Sequence, residues 1–380
     1  MSEKKTRILI NAITIEHGNI IPLLLKIKLW QSKGFHIAIF CNDFLKKRID
    51  KEGIVGDYEY IELRKTRLIT SKAQFILEAI RRNMLAFSYR RDLAARFEII
   101  YSISSVMDLI IFPYLLKRKN PEIKWLTVFD NIVPISDPGN KLLRFLAWLF
   151  FQVSLFFLKR VDKIFAISQE LKKYMVTAGF DEKKIVVTGN AVEIDLIKKA
   201  SKNDQINIDA LFVGRINETK GIYDMLKVLL IVKEKFPDFQ LAIMGKGDDS
   251  TENQFRKKIK DLNLEQNINF LGYIAGQEKF NIIKSSKSFW FLSTSQSESF
   301  GIALLEAVCL GVKTFAYDLE PYKNIYKNKE VIISAKGDYI DVADKVVKLF
   351  ESGDFDNSNG VKLIDKYNWD TLAGVEAKSF

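Results

Sequence analysis

The chain has 380 residues, 48% of them apolar and 28% charged, and this length suits two domains better than one hydrophobic core. Its two cysteines and two histidines exclude a disulfide framework, a zinc–thiolate cluster and catalysis built on several histidines. The N-terminus resembles a first strand rather than a signal peptide. Because the cysteines form no disulfide framework, we expect a reducing, cytoplasmic location.

Positive charge is concentrated in the first half of the chain. Residues 1–190 contain 32 Lys and Arg against 19 Asp and Glu, a net charge of +13, whereas residues 191–380 have a net charge of −2. This asymmetry indicates an anionic partner or surface for the first half. No nucleic-acid-binding motif is present, so no nucleic acid is expected. An anionic membrane is the other candidate.

The first half alternates short apolar runs with helical patterns. Continuous apolar runs are typical of buried parallel strands. A helix after the first strand is expected to end at Gly34. The predicted strands are 7–15, 36–42, 97–104, 124–130, 162–168 and 184–190.

The second half repeats this alternation. A clear helix at 221–236 follows its first strand. Two successive series of this kind predict an α/β protein with two doubly wound domains and a ligand at the carboxyl ends of the strands, between the domains. The polar stretch 198–207 is the expected linker. The predicted strands are 209–215, 239–247, 268–274, 287–294 and 312–318.

The segment STSQSESFGIALLEAVCLG, residues 293–311, predicts a Ser-rich loop that leads from a buried strand into a helix. Free N–H groups and the helix dipole make such a start an anion site. Glu298 would lie at its mouth and Glu306 about two turns along. Ser295 and Glu298 also match a capping box, which would only close the helix. Glu306 is either solvated or a buried carboxylate that needs a polar partner.

A second corner of this type occurs in LFVGRINETKGIYDML, residues 211–226. Arg215 and Lys220 emerge there beside a helix start, after Gly214. Arg binds phosphate as a planar fork and Lys as a point charge, so the two cations suit a diphosphate. The alternative is a pair of solvated loop residues.

These corners occur in the order FVGRINETKG, AIMGKGDD, FLGYI and STSQSESFGIALLEAVCLGVKTFA. In this order and spacing they resemble the donor domain of the retaining glycosyltransferases of family 4. The resemblance implies the GT-B fold, two Rossmann-like domains that face each other across a cleft. It implies an acceptor-side domain at 1–195, a donor-binding domain at 196–365 and a C-terminal helix at 366–380 that packs back on the first domain.

The resemblance also implies roles for individual residues. Arg215 and Lys220 would hold the donor diphosphate. Glu306 would accept hydrogen bonds from the ribose, and Glu298 would contact hydroxyls of the transferred sugar. Further donor contacts, made by glycines and backbone groups, would come from Gly18, Gly214, Gly245, Tyr273, Ile274, Ser299, Phe300 and Gly301.

Catalysis in such a site is mainly electrostatic, because charge develops on the leaving diphosphate. Arg215, Lys220 and a helix N-terminus would stabilise it, so neither a metal nor another cofactor is expected. Anomeric configuration would be retained through same-face attack. The family's acceptor-side histidine is replaced here by Phe129, which leaves Asp130 as the polar candidate, with a structural turn as its other reading.

Two segments of the first half suggest a membrane. Residues 142–158 are the most apolar, and they predict a buried helix, a monotopic membrane contact or a marginal span. Residues 72–97 predict a basic amphipathic helix. Together with the positive charge, they predict peripheral binding to the inner face of an anionic cell membrane and a glycan or lipid-linked acceptor.

The leading hypothesis is therefore a retaining hexosyltransferase of cell-envelope polysaccharide or glycolipid synthesis that uses a nucleotide-sugar donor. UDP is favoured by family frequency, and GDP is possible. Two alternatives stay open: a non-catalytic nucleotide-sugar-binding subunit, and a Rossmann dehydrogenase based on Gly245 and Gly247. The dehydrogenase fingerprint lacks its third glycine.

Overall fold

The computed structural model describes residues 5–16, 20–52, 56–69, 72–135, 141–295 and 298–380. It divides into two compact units. Unit 1 comprises the described residues of Met1–Ile135, Gly139–Gly189 and Trp369–Phe380, and unit 2 comprises those of Asn190–Asn368.

The described part of unit 1 contains one parallel sheet and helices on its faces. Its strands are β1 Arg7–Ala12, β2 His36–Cys41, β3 Glu59–Glu62, β4 Ile99–Ser102, β5 Lys124–Phe129, β6 Lys163–Ala166 and β7 Ile185–Val187. Its helices before the chain enters unit 2 are α1 Ile21–Ser32, α2 Asp43–Glu52, α3 Lys72–Ser88, α4 Arg90–Arg96, α5 Met107–Lys119, α6 Lys141–Leu158 and α7 Gln169–Thr177, with a 3-10 turn at Glu182–Lys184.

Unit 2 repeats the architecture. Its strands are β8 Ala210–Val213, β9 Leu241–Met244, β10 Ile268–Gly272, β11 Ser288–Phe291, β12 Lys313–Tyr317 and β13 Ile332–Ser334. Its helices are α8 Ile194–Lys199, α9 Ile222–Lys235, α10 Asp249–Asp261, α11 Gly276–Ser285, α12 Ile302–Cys309, α13 Glu320–Ile325, α14 Tyr339–Ser352 and α15 Ser358–Val361, with 3-10 turns at Glu218–Lys220, Glu265–Asn267 and Lys362–Asp365. The last helix, α16 Trp369–Ala377, belongs to unit 1.

Both sheets reverse their strand order at one point. The order in unit 1 is β3-β2-β1-β4-β5-β6-β7, and the order in unit 2 is β10-β9-β8-β11-β12-β13. In doubly wound sheets, ligands bind at the carboxyl ends of the strands where the order reverses. The fold therefore marks the ends of β1 and β4 in unit 1 and of β8 and β11 in unit 2.

Helix α9 shows how the sequence packs a helix onto the sheet of unit 2. Its buried residues include Ile222, Met225, Leu226 and Leu229, which repeat at intervals of three and four and so form one apolar face. They join the same core as Trp290 of β11. The helix therefore packs on the sheet and fixes the loop that precedes it.

Some elements differ from the sequence prediction. The short strands β3 and β13 were not predicted, because partly exposed segments of four and three residues carry little apolar signal. Segment 72–97 is two helices, α3 and α4, rather than one. The stretch 198–207 was wrongly predicted as the linker: the chain enters unit 2 at Asn190, and side chains of α11 bind the backbone N–H groups of Ser201 and Asn203.

Helix α16 is fixed to unit 1 by a buried polar cluster. Lys26 Nζ lies 3.2 Å from Glu376 Oε1 and donates to the Tyr101 hydroxyl at 2.8 Å. The Tyr101 hydroxyl donates to the other Glu376 oxygen at 3.1 Å. Because the Lys26 and Glu376 side chains are only 9% and 1% exposed, each charge depends on its partner.

We expect Lys26→Met to lower the free energy of unfolding by about 3–5 kcal/mol, because it leaves the Glu376 carboxylate buried without its cation. The double variant Lys26→Met/Glu376→Met should recover most of this loss, since it removes both charges. Urea unfolding of the wild type and both variants measures the effect. A single variant as stable as the wild type would show that the pair contributes nothing to folding.

Candidate functional site

The reversal point of unit 2 brings two loops into close contact. Gly221 has φ +77°, and a Cβ on it would lie 1.9 Å from the Leu292 carbonyl oxygen, so only glycine fits there. The Thr219 carbonyl accepts from the Thr294 N–H at 2.9 Å and from the Ser293 hydroxyl at 3.1 Å. The loop after β8 is thus joined to the loop after β11.

This contact pairs two residues that the sequence predicted for donor binding. Lys220 Nζ lies 2.5 Å from Glu298 Oε2, which also accepts from the Ser293 hydroxyl at 3.2 Å. Their side chains are 29% and 10% exposed. The sequence assigned the cation to a diphosphate and the carboxylate to a sugar, but it did not reveal that they contact each other.

The capping-box interpretation of Glu298 is wrong for this helix. Helix α12 begins at Ile302, its N-cap is Gly301 with φ +73°, and no side chain caps it. Glu298 therefore lies in the preceding loop. Glu306 is the fifth residue of α12 and lies in its second turn, closer to the helix start than predicted.

Glu306 is a buried carboxylate with a cationic partner. Its Oε1 lies 2.6 Å from Lys279 Nζ on α11, and the Glu306 residue is only 5% exposed. Burial raises the pKa of Glu306, and the ammonium of Lys279 opposes that rise. The solvated alternative for Glu306 is therefore wrong. Lys279 escaped the sequence analysis because it lies 27 residues before Glu306, outside any local motif.

Glycines bring three strand ends of unit 2 together. A Cβ on Gly245 would lie 1.8 Å from the Gly214 carbonyl oxygen, and the Gly245 N–H donates to the Gly272 carbonyl at 2.8 Å. Tyr273, which is 73% exposed, and Ile274 follow directly. The backbone groups predicted to border the nucleotide base thus lie at the ends of β8, β9 and β10.

The remaining donor-side residues occupy different environments. Arg215 is exposed and forms no ion pair or hydrogen bond with the described residues. Ser299 is half-buried, whereas Phe300 is buried against the Tyr367 ring, with 5.6 Å between centroids. Gly18 lies outside the described residues, so the structure does not place it.

Unit 1 carries one buried carboxyl at its own reversal point and another beside it. Asp130 follows β5 and accepts from the Ser104 hydroxyl at 3.0 Å. Asp108, in the first turn of α5, accepts from the Thr14 hydroxyl at 2.5 Å. Burial raises the pKa of both carboxyls, and their hydrogen bonds oppose the rise. Asp108 was missed by the sequence analysis because no motif surrounds it.

Phe129 is part of the core of unit 1. It is fully buried and packs against the rings of Phe151 and Tyr174, with centroid distances of 6.3 and 6.4 Å. The position at which the family resemblance implies an acceptor-side histidine thus holds a core aromatic ring. Asp130 is the polar group adjacent to it.

Comparison with known proteins shows which family and fold this chain resembles. Residues 193–360 match the model of the family glycosyl transferases group 1. The chain is 29% identical over 218 residues to a phosphatidyl-myo-inositol mannosyltransferase of Mycobacterium leprae, in an alignment that covers 55% of this chain and 56% of that protein. It is 26% identical over 357 residues to an uncharacterized glycosyltransferase of Methanocaldococcus jannaschii, with 89% and 81% covered.

The chain thus spans about half the length of the mannosyltransferase that it matches. Its fold extends further than this alignment. The crystal structure of HepE from Anabaena in complex with UDP and glucose matches 99% of both chains with a TM-score of 0.76 and 15% identity. Residues 193–360 therefore resemble the glycosyl transferases group 1 family, and the chain has the GT-B fold.

Proposed function

We propose that the protein is a retaining glycosyltransferase that transfers a hexose from a nucleoside-diphosphate sugar, UDP-linked or GDP-linked, to a lipid-linked or glycan acceptor of the cell envelope. The observation that carries the proposal is the contact between Lys220 and Glu298 at the reversal point of unit 2. It combines a cation for a diphosphate with a carboxylate for sugar hydroxyls at the place where such a sheet binds its ligand.

In this proposal, Lys220 and Glu298 act on the same donor molecule, and their ion pair opens when the donor binds. When a diphosphate reaches the loop after β8, its oxygens compete with Glu298 for the Lys220 ammonium. Lys220 and the exposed Arg215 then stabilise charge on the leaving phosphate. The released Glu298 carboxylate accepts hydrogen bonds from the sugar.

Glu306 would act on the nucleoside part of the donor. A carboxylate accepts hydrogen bonds from two neighbouring ribose hydroxyls, and the ammonium of Lys279 favours the ionised form of this buried carboxylate. The proposed reaction requires no metal ion. In this proposal, protein cations supply the charge that a metal ion supplies in other phosphoryl-leaving reactions.

The acceptor hydroxyl attacks the anomeric carbon from the face that the phosphate leaves, and configuration is retained. Its proton passes to the departing phosphate oxygen, so the new glycosidic bond forms as the sugar–phosphate bond breaks. Asp130 accepts a hydrogen bond from the acceptor and orients it. This balance yields a glycoside and a nucleoside diphosphate.

Release of nucleoside diphosphate from a panel of donors tests the proposal. UDP-glucose, GDP-mannose and ADP-glucose are incubated separately with the protein in the presence of EDTA. We expect slow, chelator-resistant hydrolysis of one donor, because water replaces the acceptor inefficiently. If no donor is hydrolysed and no nucleotide raises the melting temperature, the proposal is wrong.

The panel also distinguishes the alternative functions. A non-catalytic subunit would be stabilised by a nucleotide sugar without hydrolysing it. A dehydrogenase would instead bind a dinucleotide. The dehydrogenase alternative places a dinucleotide at Gly247, before the start of α10. Acidic side chains already bind the N–H groups there: the Gly247 N–H donates to the Glu252 carboxylate at 2.6 Å, and Asp248 caps the helix. These acids disfavour a pyrophosphate there.

Helix α3 buries its polar face and exposes its apolar face, the reverse of a usual surface helix, and this supports membrane binding. Its buried face contains Glu78, Arg82 and Asn83, whereas Leu77 and Met84 on its outer face are 69% and 72% exposed. Arg82 bonds Glu16 and the Ile13 carbonyl. Polar groups thus hold the helix to the protein, and apolar groups point outward.

Helix α6 presents a similar outer face. By length and composition it is, among the described residues, the helix apolar enough to cross a membrane. The buried-helix prediction was wrong: of its 18 residues, only Phe151, Ser154, Leu155 and Leu158 are buried. Because that face packs inside unit 1, we propose that α6 lies along the membrane surface rather than across it.

Exposed apolar residues of α6 should contribute directly to vesicle binding. The outer stripe Leu142, Phe145 and Leu149 is 66%, 46% and 40% exposed. Replacing all three with Gln should reduce co-sedimentation with phosphatidylglycerol vesicles at least about tenfold, since each residue loses apolar burial of about 1.5–3 kcal/mol when fully inserted.

The control variant is Ile340→Gln, which removes an apolar residue, 55% exposed, from unit 2 and should bind as the wild type does. Wild-type binding should fall with salt and be weaker on phosphatidylcholine. Equal, salt-insensitive recovery on both lipids would contradict the electrostatic contribution. Unchanged binding of the triple variant would contradict the placement of α6.

A further inference from the structure

Unit 1 contains a cavity of about 570 Å³ at the carboxyl ends of β1, β4 and β5. Its walls are helices α3 and α6, and its floor is the first turn of α5. Phe75 and Ile80 of α3 and Phe150 of α6 are lining residues that are also exposed at the surface. The cavity is therefore apolar, open to the outside and continuous with the outer faces of both helices.

The inner end of the same cavity is polar and acidic. Asp108 and Asp130 line it, each bound by one hydroxyl, from Thr14 and Ser104 respectively. Glu16, the other titratable lining residue, is neutralised by Arg82. Among the described residues, no Lys or Arg lines the cavity.

We propose that this cavity binds the acceptor as an amphiphile, with an uncharged, hydroxylated head at Asp108 and Asp130 and a hydrocarbon chain between α3 and α6. The inference rests on the proposed function and specifies its substrate class. It assigns Asp108 a role in acceptor binding beside Asp130.

Charge identifies the head group. A carboxylate has about four hydrogen-bond-accepting positions and no donor. Each of these two carboxylates accepts from one hydroxyl and from nearby backbone N–H groups, which leaves positions open. Hydroxyl groups satisfy the remaining positions, whereas a phosphate placed there would meet two like charges with no cation among the lining residues. The site therefore favours neutral polyols over anionic heads.

Shape identifies the chain. The cavity has the volume of a small-molecule site, and apolar side chains occupy its opening. If the acceptor were a glycan without a lipid, these apolar walls would stay in contact with water. Because the carboxyls and the apolar walls share one small cavity, the accepting hydroxyl lies close to the hydrocarbon in the acceptor.

Calorimetric titration with three probes tests the proposal. We expect 1-decylglycerol to bind, decyl phosphate to bind at least about tenfold more weakly, and glycerol to show no measurable binding. Ala147 lines the cavity from an exposed position on α6, so Ala147→Trp fills the space without disturbing the core. We expect this variant to bind 1-decylglycerol at least about tenfold more weakly.

Gln152→Trp is the matched control, because it adds the same ring to α6 at a position that does not line the cavity. It should bind 1-decylglycerol as the wild type does. The proposal is overturned if 1-decylglycerol does not bind, if decyl phosphate binds equally well, or if both Trp variants behave alike.

Donor hydrolysis separates this inference from the proposed function. If Ala147→Trp still hydrolyses the donor as the wild type does but binds 1-decylglycerol equally well, the acceptor inference fails alone. If the wild type binds 1-decylglycerol in the cavity but hydrolyses no donor, the proposed function fails instead. Melting curves of both Trp variants, expected to match the wild type, exclude unfolding as the cause.

Discussion

Replacing Lys220 with Ala should lower kcat/KM for sugar transfer by a factor of about 10²–10³, the effect of removing one preorganised charge from a developing oxyanion. The loss has two sources. The leaving diphosphate loses its cation, and the Glu298 carboxylate, which lies 2.5 Å from Lys220 Nζ in the wild type, is left unneutralised beside it.

A double-mutant cycle separates these sources. Glu298→Gln alone should lower kcat while leaving UDP or GDP affinity near that of the wild type, because it removes contacts to the sugar. Combined with Lys220→Ala, it should cost less than the sum of the single variants, because the repulsion is already absent. Strict additivity would show that the two residues act independently.

The control for Lys220→Ala is Lys227→Ala, which removes a lysine from α9, the helix that follows the turn containing Lys220. Lys227, whose side chain is 48% exposed, pairs with Asp224 at 2.8 Å, and no contact with the proposed donor residues is among its described interactions. Its removal should leave kcat/KM unchanged. If both variants lose activity equally, the effect of Lys220 is a general effect of positive charge and the proposed contact is wrong.

Glu306→Gln should weaken the binding of the nucleoside diphosphate itself by about ten- to a hundredfold, because hydrogen bonds to a charged group contribute about 1.5–3 kcal/mol. Calorimetric titration with UDP and GDP measures the loss. The expected pattern is opposite to that of Glu298→Gln, which mainly changes kcat. The proposal thus assigns the two glutamates of one short segment to different parts of one ligand.

Stability must be separated from affinity in this variant. Glu306→Gln leaves the Lys279 ammonium, whose side chain is 19% exposed, without its carboxylate. Adding Lys279→Met should restore thermal stability but not nucleotide affinity. Glu278→Gln, an exposed neighbour on α11, should change neither. Recovery of affinity in the double variant would show that Glu306 has a structural role only.

Much of the fold follows from local sequence. Continuous apolar runs predicted the strands that are buried on both faces, such as β8 and β11, because such strands need no alternation. The same criterion missed β3, which is partly exposed. The unit boundary was misplaced because the polar segment 198–207 resembles a linker in composition, while its backbone is fixed by side chains 80 residues later.

The candidate site was predicted unevenly for a physical reason. Arg215, Lys220, Glu298 and Glu306 belong to recognisable strand–loop–helix corners, so local sequence identifies them. Lys279 and Asp108 make their contacts only in the folded chain, and their own segments carry no signal. Local spacing also gave one wrong prediction. Ser295 and Glu298 have the spacing of a capping box, but the helix starts further along the chain, at Ile302.

Helix α3 shows where local patterns reach their limit. The sequence predicts an amphipathic helix but does not show which face is buried. In the structure, the polar face is buried because Arg82 and Asn83 bond backbone carbonyls of neighbouring segments. The apolar face is thereby left outward, and this inversion is the basis of the membrane and acceptor proposals.

The anomeric configuration of the product tests the central claim most directly. The donor selected by the hydrolysis panel, labelled with ¹³C in the sugar, is incubated with the protein, EDTA and phosphatidylglycerol vesicles that contain a long-chain monoacylglycerol. One-bond C–H coupling of the anomeric carbon then distinguishes the two configurations. We predict a glycoside with the configuration of the donor. A product of inverted configuration, or hydrolysis without any glycoside from lipid or soluble glycan acceptors, would contradict the account.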